Sequence, residues 1–331
     1  MVILNSETQT AAIASAVSLL RNGEIVAFPT ETVYGLGADA FNAAAVEKIF
    51  AAKNRPTDNP LIVHIASYDQ LESVVTRVPD TAQKLMQAFW PGPLSLVLSK
   101  QEKLPAITTG GLSTVVVRFP KHPVAQKLIA MLGTPIAAPS ANLSGKVSPT
   151  VASHVYEDLS GRIPLIIDGG PVEYGLESTV VDCTTEPPVI LRPGSITLEQ
   201  LRSVIPEIEA AESDGPLRSP GMKYRHYSPT APVVLFIGNP RKTAAAMERY
   251  QLEHKERTLG IIWHTGISPT ARLQYRLSFE PDLASPKLFF ALRSIDENHP
   301  DEILVQGFDQ KQTGVAIMNR LRKAASTIIA V

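Results

Sequence analysis

The apolar runs of this chain are strand-sized and alternate with segments of helical periodicity, which commits it to a mixed α/β architecture. The longest, such as Leu61 to Ile65 and Val115 to Val117, fall far short of the ~20 residues that a membrane-spanning helix needs, so no membrane role is expected. Helical spacing runs from Thr8 to Arg21 and stops at Asn22-Gly23. Asn42 is placed to cap a helix that continues to about Lys53 with Val46, Ile49 and Phe50 on one face. Further helices are expected over 80–89, 122–131 and 150–159. Strands are expected over 25–28, 61–65, 94–98, 115–119, 136–138, 165–168, 179–182 and 189–192. The regular pattern fails between about Glu207 and Ala231, then a cleaner β-α-β rhythm resumes. Its strands are expected over 233–237, 258–263, 273–278 and 302–305, and its helices over 242–254, 287–297 and 312–328. The pattern predicts a large twisted mixed sheet with helices over 1–208, a linker over 209–231, and a small Rossmann-like domain over 232–331.

Charge narrows the function classes. Of 331 residues, 44% are hydrophobic and 19% charged, enough apolar surface for two ordinary cores. Residues 1–208 carry 15 Lys+Arg against 19 Asp+Glu, an acidic balance that disfavours a nucleic-acid-coating surface there. The single cysteine, Cys183, forms no internal disulfide, and no His/Cys spacing resembles a metal site. The N-terminus lacks the basic flank and apolar core of a signal peptide, so a cytoplasmic address is the default expectation.

No G-x-x-x-x-G-K-[ST] string occurs, which excludes a P-loop. Gly35-Leu-Gly37-Ala-Asp-Ala40 fits a dinucleotide fingerprint poorly, because Pro29 to Tyr34 separate it from the preceding strand. Thr30, Glu31 and Thr32 directly follow that strand, where α/β sheets place ligand contacts. A plain turn, with the glycines relieving a tight bend, reads equally well there. Lys53-Asn-Arg-Pro-Thr-Asp-Asn-Pro60 sets two cations and two amides after a helix end; they suit a polyphosphate or a solvated helix terminus. His64 alternates with Leu61, Val63 and Ile65 and so faces the other side of its strand. Arg118 ends an apolar strand that begins at Thr114, and its burial demands a carboxylate or an anion. Pro139-Ser-Ala-Asn-Leu-Ser-Gly145 offers hydroxyls and an amide for phosphate or ribose, or for helix capping.

Taken in order, P-T-E-T-V-Y-G-L (29–36), K-N-R-P (53–56) with N-P-L-I-V-H (59–64), and F-W-P-G-P-L (89–94) resemble one family. So do P-S-A-N-L-S-G (139–145), S-T-V-V-D (178–182), R-P-G (192–194) and S-P-G-M-K-Y-R-H-Y-S-P (219–229). The family is the L-threonylcarbamoyladenylate synthases. The resemblance covers about Gly23 to Pro229 as a YrdC-type domain plus linker, and the remainder more loosely resembles the family's C-terminal domain. It implies synthesis of threonylcarbamoyl-AMP from L-threonine, bicarbonate and ATP, with Mg2+ accompanying ATP and pyrophosphate released. Downstream proteins would then transfer the threonylcarbamoyl group to tRNA beside the anticodon; direct tRNA contact is left open.

By resemblance, Thr32, His64, Arg118 and Ser178 would hold threonine, with Ala138 contributing backbone. Lys53, Arg55, Asn59, Thr114, Ser140, Asn142, Ser148 and Arg192 would contact ATP, with Lys53 and Arg55 as the charge-neutralising catalytic pair. His226 and Tyr227, in the linker, would close over the nucleotide. No resident metal ligands are implied. The competing readings are a carbamoyl-adenylate-forming enzyme of the hydrogenase-maturation type and a non-catalytic RNA-binding module.

Overall fold

The computed structural model describes residues 2–4, 9–211, 227–266, 269 and 271–331. Its contacts divide the chain into two compact units, Met1–Ser144 with Pro149–Lys223, and Gly145–Ser148 with Tyr224–Val331.

The first unit begins with β1 (Val2–Leu4), α1 (Gln9–Arg21), β2 (Val26–Phe28), β3 (Gly35–Asp39), α2 (Ala43–Lys53) and β4 (Ile62–His64). It continues through α3 (Tyr68–Val74), α4 (Asp80–Phe89), β5 (Leu94–Ser99), β6 (Thr114–Arg118), α5 (Pro123–Leu132) and β7 (Ile136–Ala138). It ends with α6 (Ala152–Leu159), β8 (Leu165–Ile167), β9 (Thr179–Asp182), β10 (Val189–Arg192), α7 (Leu198–Arg202) and β11 (Glu209–Ala210). The strands form one mixed sheet in the order β1-β8-β2-β3-β7-β4-β6-β5-β9-β10-β11.

Strand periodicity sorts the side chains between two cores. Ile25 and Ala27, Ala137, Ile166, and Leu61, Val63 and Ile65 face one layer, against helix residues such as Val46, Ile49, Phe50 and Val155. Val26 and Phe28, Ile136 and Ala138, and Leu165 and Ile167 face the other, against Ile13, Ala16 and Leu20 of α1 and Leu128 and Ile129 of α5. A sheet covered on both faces explains why these strands read as continuous apolar runs rather than as alternating ones. Asn42 does cap α2, accepting from the Ala45 amide, and Asn54 ends that helix in the left-handed conformation.

One expectation changes, and several elements, β3, α3, α7 and β11 among them, had no assignment from sequence. Gly35–Asp39 is strand β3, paired antiparallel with both β2 and β7. Its glycines serve close packing: a Cβ on Gly37 would lie 2.6 Å from Ile136 Cγ2 and 2.8 Å from Phe28 Cε1. Helix α3 has little apolar periodicity and is held by a Ser67 cap on the Gln70 amide, a local signal the strand-helix pattern does not carry. In the second unit, the helix expected over 312–328 stops at Ala324, and Thr327–Ala330 is a strand.

The second unit contains β12 (Val233–Ile237), α8 (Pro240–Glu253), β13 (Leu259–Trp263), β14 (Leu273–Arg276), α9 (Pro281–Asp296), β15 (Glu302–Gln306), α10 (Thr313–Ala324) and β16 (Thr327–Ala330). All five strands are parallel, in the order β14-β13-β15-β12-β16. Tyr227 is buried within this unit, its ring stacked on Phe289 at 5.6 Å and overlain by the Arg320 guanidinium at 5.5 Å. Asn239 caps α8 with Pro240 in its first turn.

Replacing Gly37 by alanine should destabilise the first unit by about 1–3 kcal/mol, because the new methyl meets two buried side chains that cannot withdraw. Urea denaturation monitored by circular dichroism measures this. An unchanged midpoint would show that β3 has room to spare.

Candidate active site

The register of four neighbouring strands assembles the central row. His64 of β4 lies opposite Arg118 of β6, and Arg118 lies opposite Ser95 of β5. Ile62, Val97, Val116 and Val180 precede or follow these residues by two positions and form a small apolar cluster on the same face. The face therefore turns from apolar to polar along each strand: Ile62 to His64, Val116 to Arg118, Val97 to Ser95, and Val180 to Ser178. Ala138 of β7 pairs with Ile62 and joins this face from the neighbouring strand. Each polar member of the row is almost wholly buried.

Burial draws these groups onto one another. Arg118 reaches Glu31 through Nη2 at 2.6 Å, donates through Nη1 to Thr32 Oγ1 at 2.8 Å, and donates through Nε to the Gly92 carbonyl at 3.3 Å. Thr30 Oγ1 lies 2.9 Å from Thr32 Oγ1 and donates to the Val33 carbonyl at 2.6 Å. The anion expected for Arg118 from its buried position is thus met within the chain by Glu31. Ser95 and Ser178 hydroxyls are 2.7 Å apart. Arg192 of β10 donates to the Ser178 carbonyl at 3.0 Å through Nε and to its hydroxyl at 3.1 Å through Nη2.

Gly194 makes the Ser178–Arg192 junction feasible. A Cβ there would lie 2.3 Å from the Thr179 nitrogen and 2.6 Å from the Glu177 oxygen, so only glycine lets the two backbones meet.

The second group of residues surrounds the loop after β7. Lys53, at the end of α2, is buried to 1% exposure and donates to the carbonyls of Ser140, at 2.5 Å, and Asn142. Ser140 Oγ donates to Asn142 Oδ1 at 2.5 Å. Arg55 donates to the carbonyls of Asn59 and Pro60 at 3.4 and 3.2 Å, which ties the turn before β4 to its own cation. Thr114 stands at the opposite end of β6 from Arg118, on the same face, about 13 Å away at the usual strand rise.

The structure therefore brings Thr32, His64, Arg118, Ala138, Ser178 and Arg192 to one face, and Lys53 to the Ser140–Asn142 loop. Ser148 and Tyr227 belong to the second unit, where both are buried. His226 lies outside the described residues, as does most of the expected linker. Sequence reading gave Ser95 no role; a lone serine at an inward position of the apolar run Leu94–Leu98 was the available signal. Among the described residues no three His, Cys, Asp or Glu side chains gather as a metal site, and no helix is long and apolar enough to cross a membrane.

Electrostatics fix the protonation states. Burial, reinforced by Arg118, pulls the His64 imidazole down to about 3, so it is neutral at pH 7 and its Nδ1–H donates to the Ile62 carbonyl at 3.1 Å. Burial alone would raise the Glu31 carboxyl, but the Arg118 charge and hydrogen bond outweigh it and hold Glu31 ionised below its ordinary value.

Comparison with known proteins also divides the chain in two, at a different point from the compact units. A family model described as telomere recombination matches residues 18–194, and one described as the threonylcarbamoyl-AMP synthase C-terminal domain matches 196–326. The threonylcarbamoyl-AMP synthase of Pyrococcus abyssi is 49% identical, over 94% of this chain and 93% of its own length. That of Bacillus subtilis is 49% identical, over 95% and 92%. A crystal structure of P. abyssi Sua5 complexed with L-threonine superposes with a TM-score of 0.96 at 47% identity, covering both chains fully.

The unfolded chain protonates His64 near 6.5 and the folded chain only near 3, so the folded state loses stability as pH falls through that window. Glu31, ionised below its ordinary value, adds to the loss at the acid end. Melting temperature should fall from pH 6.5 toward pH 4, and His64→Gln should flatten that slope. An unchanged slope in the variant would contradict neutral burial of His64.

Proposed function

The chain belongs to the threonylcarbamoyl-AMP synthase family, and we propose that the polar row on the first unit's sheet holds L-threonine while the Lys53 loop receives ATP. The enzyme is a nucleotidyltransferase that makes threonylcarbamoyl-AMP for the threonylcarbamoyladenosine modification of tRNA. The in-register row His64–Arg118–Ser95, extended by Ser178, carries the threonine reading.

Threonine presents a carboxylate, an amine and a hydroxyl. Arg118 has five N–H donors, of which one on Nε and one on Nη1 are used on Gly92 and Thr32; Nη2, ion-paired with Glu31, and the second Nη1 hydrogen are the donors for the substrate carboxylate. Neutral His64 and the hydroxyls of Thr32 and Ser178 suit the amino-acid side chain, and Ala138 offers backbone beside them. The threonine nitrogen takes the carbon of bicarbonate with loss of water. A carbamate oxygen then attacks the α-phosphorus, forming one P–O bond as the bond to pyrophosphate breaks. Threonine thus brings its own nucleophile once carboxylated, so the protein supplies position and charge rather than a covalent intermediate.

Lys53, Arg55 and Arg192 are the cations for the polyphosphate, entering as its magnesium complex, with Asn59, Thr114, Ser140 and Asn142 as polar partners. Arg192 also bonds Ser178, so one side chain adjoins both substrates in this reading. Lys53 acts through the Ser140–Asn142 loop as well as through its charge, since its ammonium is bonded to that loop's carbonyls. The assignment of Ser148 to ATP rests on the family resemblance, and those of His226 and Tyr227 to ATP and of residues 209–231 to a lid rest on the linker motif. The reaction belongs in the cytoplasm, beside the proteins that pass the product to tRNA.

Pyrophosphate release from ATP that requires both L-threonine and bicarbonate tests the reading; release without either would overturn it. Arg118→Ala should raise the threonine KM by at least tenfold and leave the ATP KM within about twofold. Equal changes in both would remove Arg118 from the threonine site. Deleting 219–229 should abolish turnover while the first unit stays folded by circular dichroism, and normal turnover would sink the lid assignment.

A further inference from the structure

Glu31 has no part in the chemistry described above, yet it is among the most deeply buried charges in the first unit. Its side chain is 2% exposed and that of Arg118 is 4% exposed. Desolvating two charges costs as much as their attraction returns, and an apolar pair of similar volume holds a core at least as well. What an ion pair adds is direction. The guanidinium of Arg118 is bonded to Thr32 Oγ1 and the Gly92 carbonyl and ion-paired with Glu31 Oε1, so its plane is set before substrate arrives.

Glu31 is itself immobilised. Its carbonyl accepts from the Tyr174 amide at 2.8 Å, and its neighbours Thr30 and Thr32 are bonded to each other. The second effect of Glu31 is electrostatic. His64 is neutral, so Glu31 offsets the charge of Arg118, and Arg192, bonded to Ser178, is the other cation of this face. Beside Glu31, Arg118 presents a compensated charge that suits a zwitterion, whereas Arg118 without that carboxylate would favour any small carboxylate.

We propose that Glu31 is a positioning and specificity residue for the amino-acid substrate: through its ion pair with Arg118 it aims the guanidinium and makes the pocket discriminate for the ammonium-bearing zwitterion over an amine-free acid. The proposal rests on the threonine reading of the row. The probe is 2,3-dihydroxybutyrate, which replaces the amine of threonine by a hydroxyl and keeps the carboxylate.

The experiment measures threonine-dependent pyrophosphate release for the full chain, Glu31→Gln, Arg118→Lys and the double variant. Each is assayed for threonine KM, ATP KM and inhibition by 2,3-dihydroxybutyrate. Glu31→Gln should raise the threonine KM at least tenfold with the ATP KM within about twofold. It should weaken inhibition by the amine-free acid far less than it weakens threonine binding, since that acid shares the carboxylate but not the ammonium. The double variant should be no worse for threonine than Arg118→Lys alone, since both act through one guanidinium.

A parallel weakening of threonine and inhibitor, a parallel rise in both KM values, or no change at all would each overturn the proposal. If the glutamine variant does not accumulate folded, Glu31→Asp keeps the charge and withdraws it by one methylene. It should raise the threonine KM while preserving the preference for threonine over the inhibitor, and loss of that preference would count against the charge argument. Absence of threonine-dependent release in the unaltered chain would overturn the underlying reading and is seen separately.

Discussion

A sheet covered by helices on both faces has no place for a polar side chain unless other polar groups meet it there. In the first unit this constraint falls on one face, where Ile62, Val97, Val116 and Val180 give way two residues along to His64, Ser95, Arg118 and Ser178. Three of them depend on a neighbour in the adjoining strand or loop, Arg118 on Glu31 and Thr32, Ser95 on Ser178, and Ser178 on Arg192, while His64 bonds the Ile62 carbonyl of its own strand. A slip of one residue in any of these strands would turn its polar member into the opposite apolar core. The same register that closes the core therefore builds the polar row proposed to hold threonine.

The chemistry suits such a surface. Once threonine is carboxylated the reaction needs no protein nucleophile, so a set of rigid, mutually bonded groups can contribute orientation and charge compensation. His64 is kept neutral by burial and by Arg118, which makes it a fixed hydrogen-bonding surface rather than a proton carrier at pH 7. Lys53 shows the same economy: its ammonium is bonded to the carbonyls of Ser140 and Asn142, so one cation both braces a loop and sets its potential.

Much of the fold was legible because its signals are local. The edges of α2, α4, β7, β9 and β10 follow from a cap, a proline or a change of apolar period, and the structure ends them at or next to those residues. Strand β3 was not legible. Gly35-Leu-Gly37-Ala-Asp39 has low intrinsic strand preference, and it is extended because two neighbouring strands pair with it and Ile136 and Phe28 leave room only for glycine. The tail of α10 failed for the opposite reason: Thr327–Ala330 continues a helical pattern but is drawn into the parallel ladder beside β12.

The sequence by itself determined the α/β class and the chemical types gathered at strand ends, since periodicity and turn residues act over a few neighbours. It also required Arg118 to meet an anion, because a buried guanidinium cannot stand alone. Which anion it met was decided only by the tertiary structure. Glu31 lies 2.6 Å from Arg118 and 87 positions before it along the chain, and no local rule links the two. Pairing between β4, β6 and β5, together with the loop that follows β2, brings them together, and cross-strand contacts of that kind are set by the whole sheet.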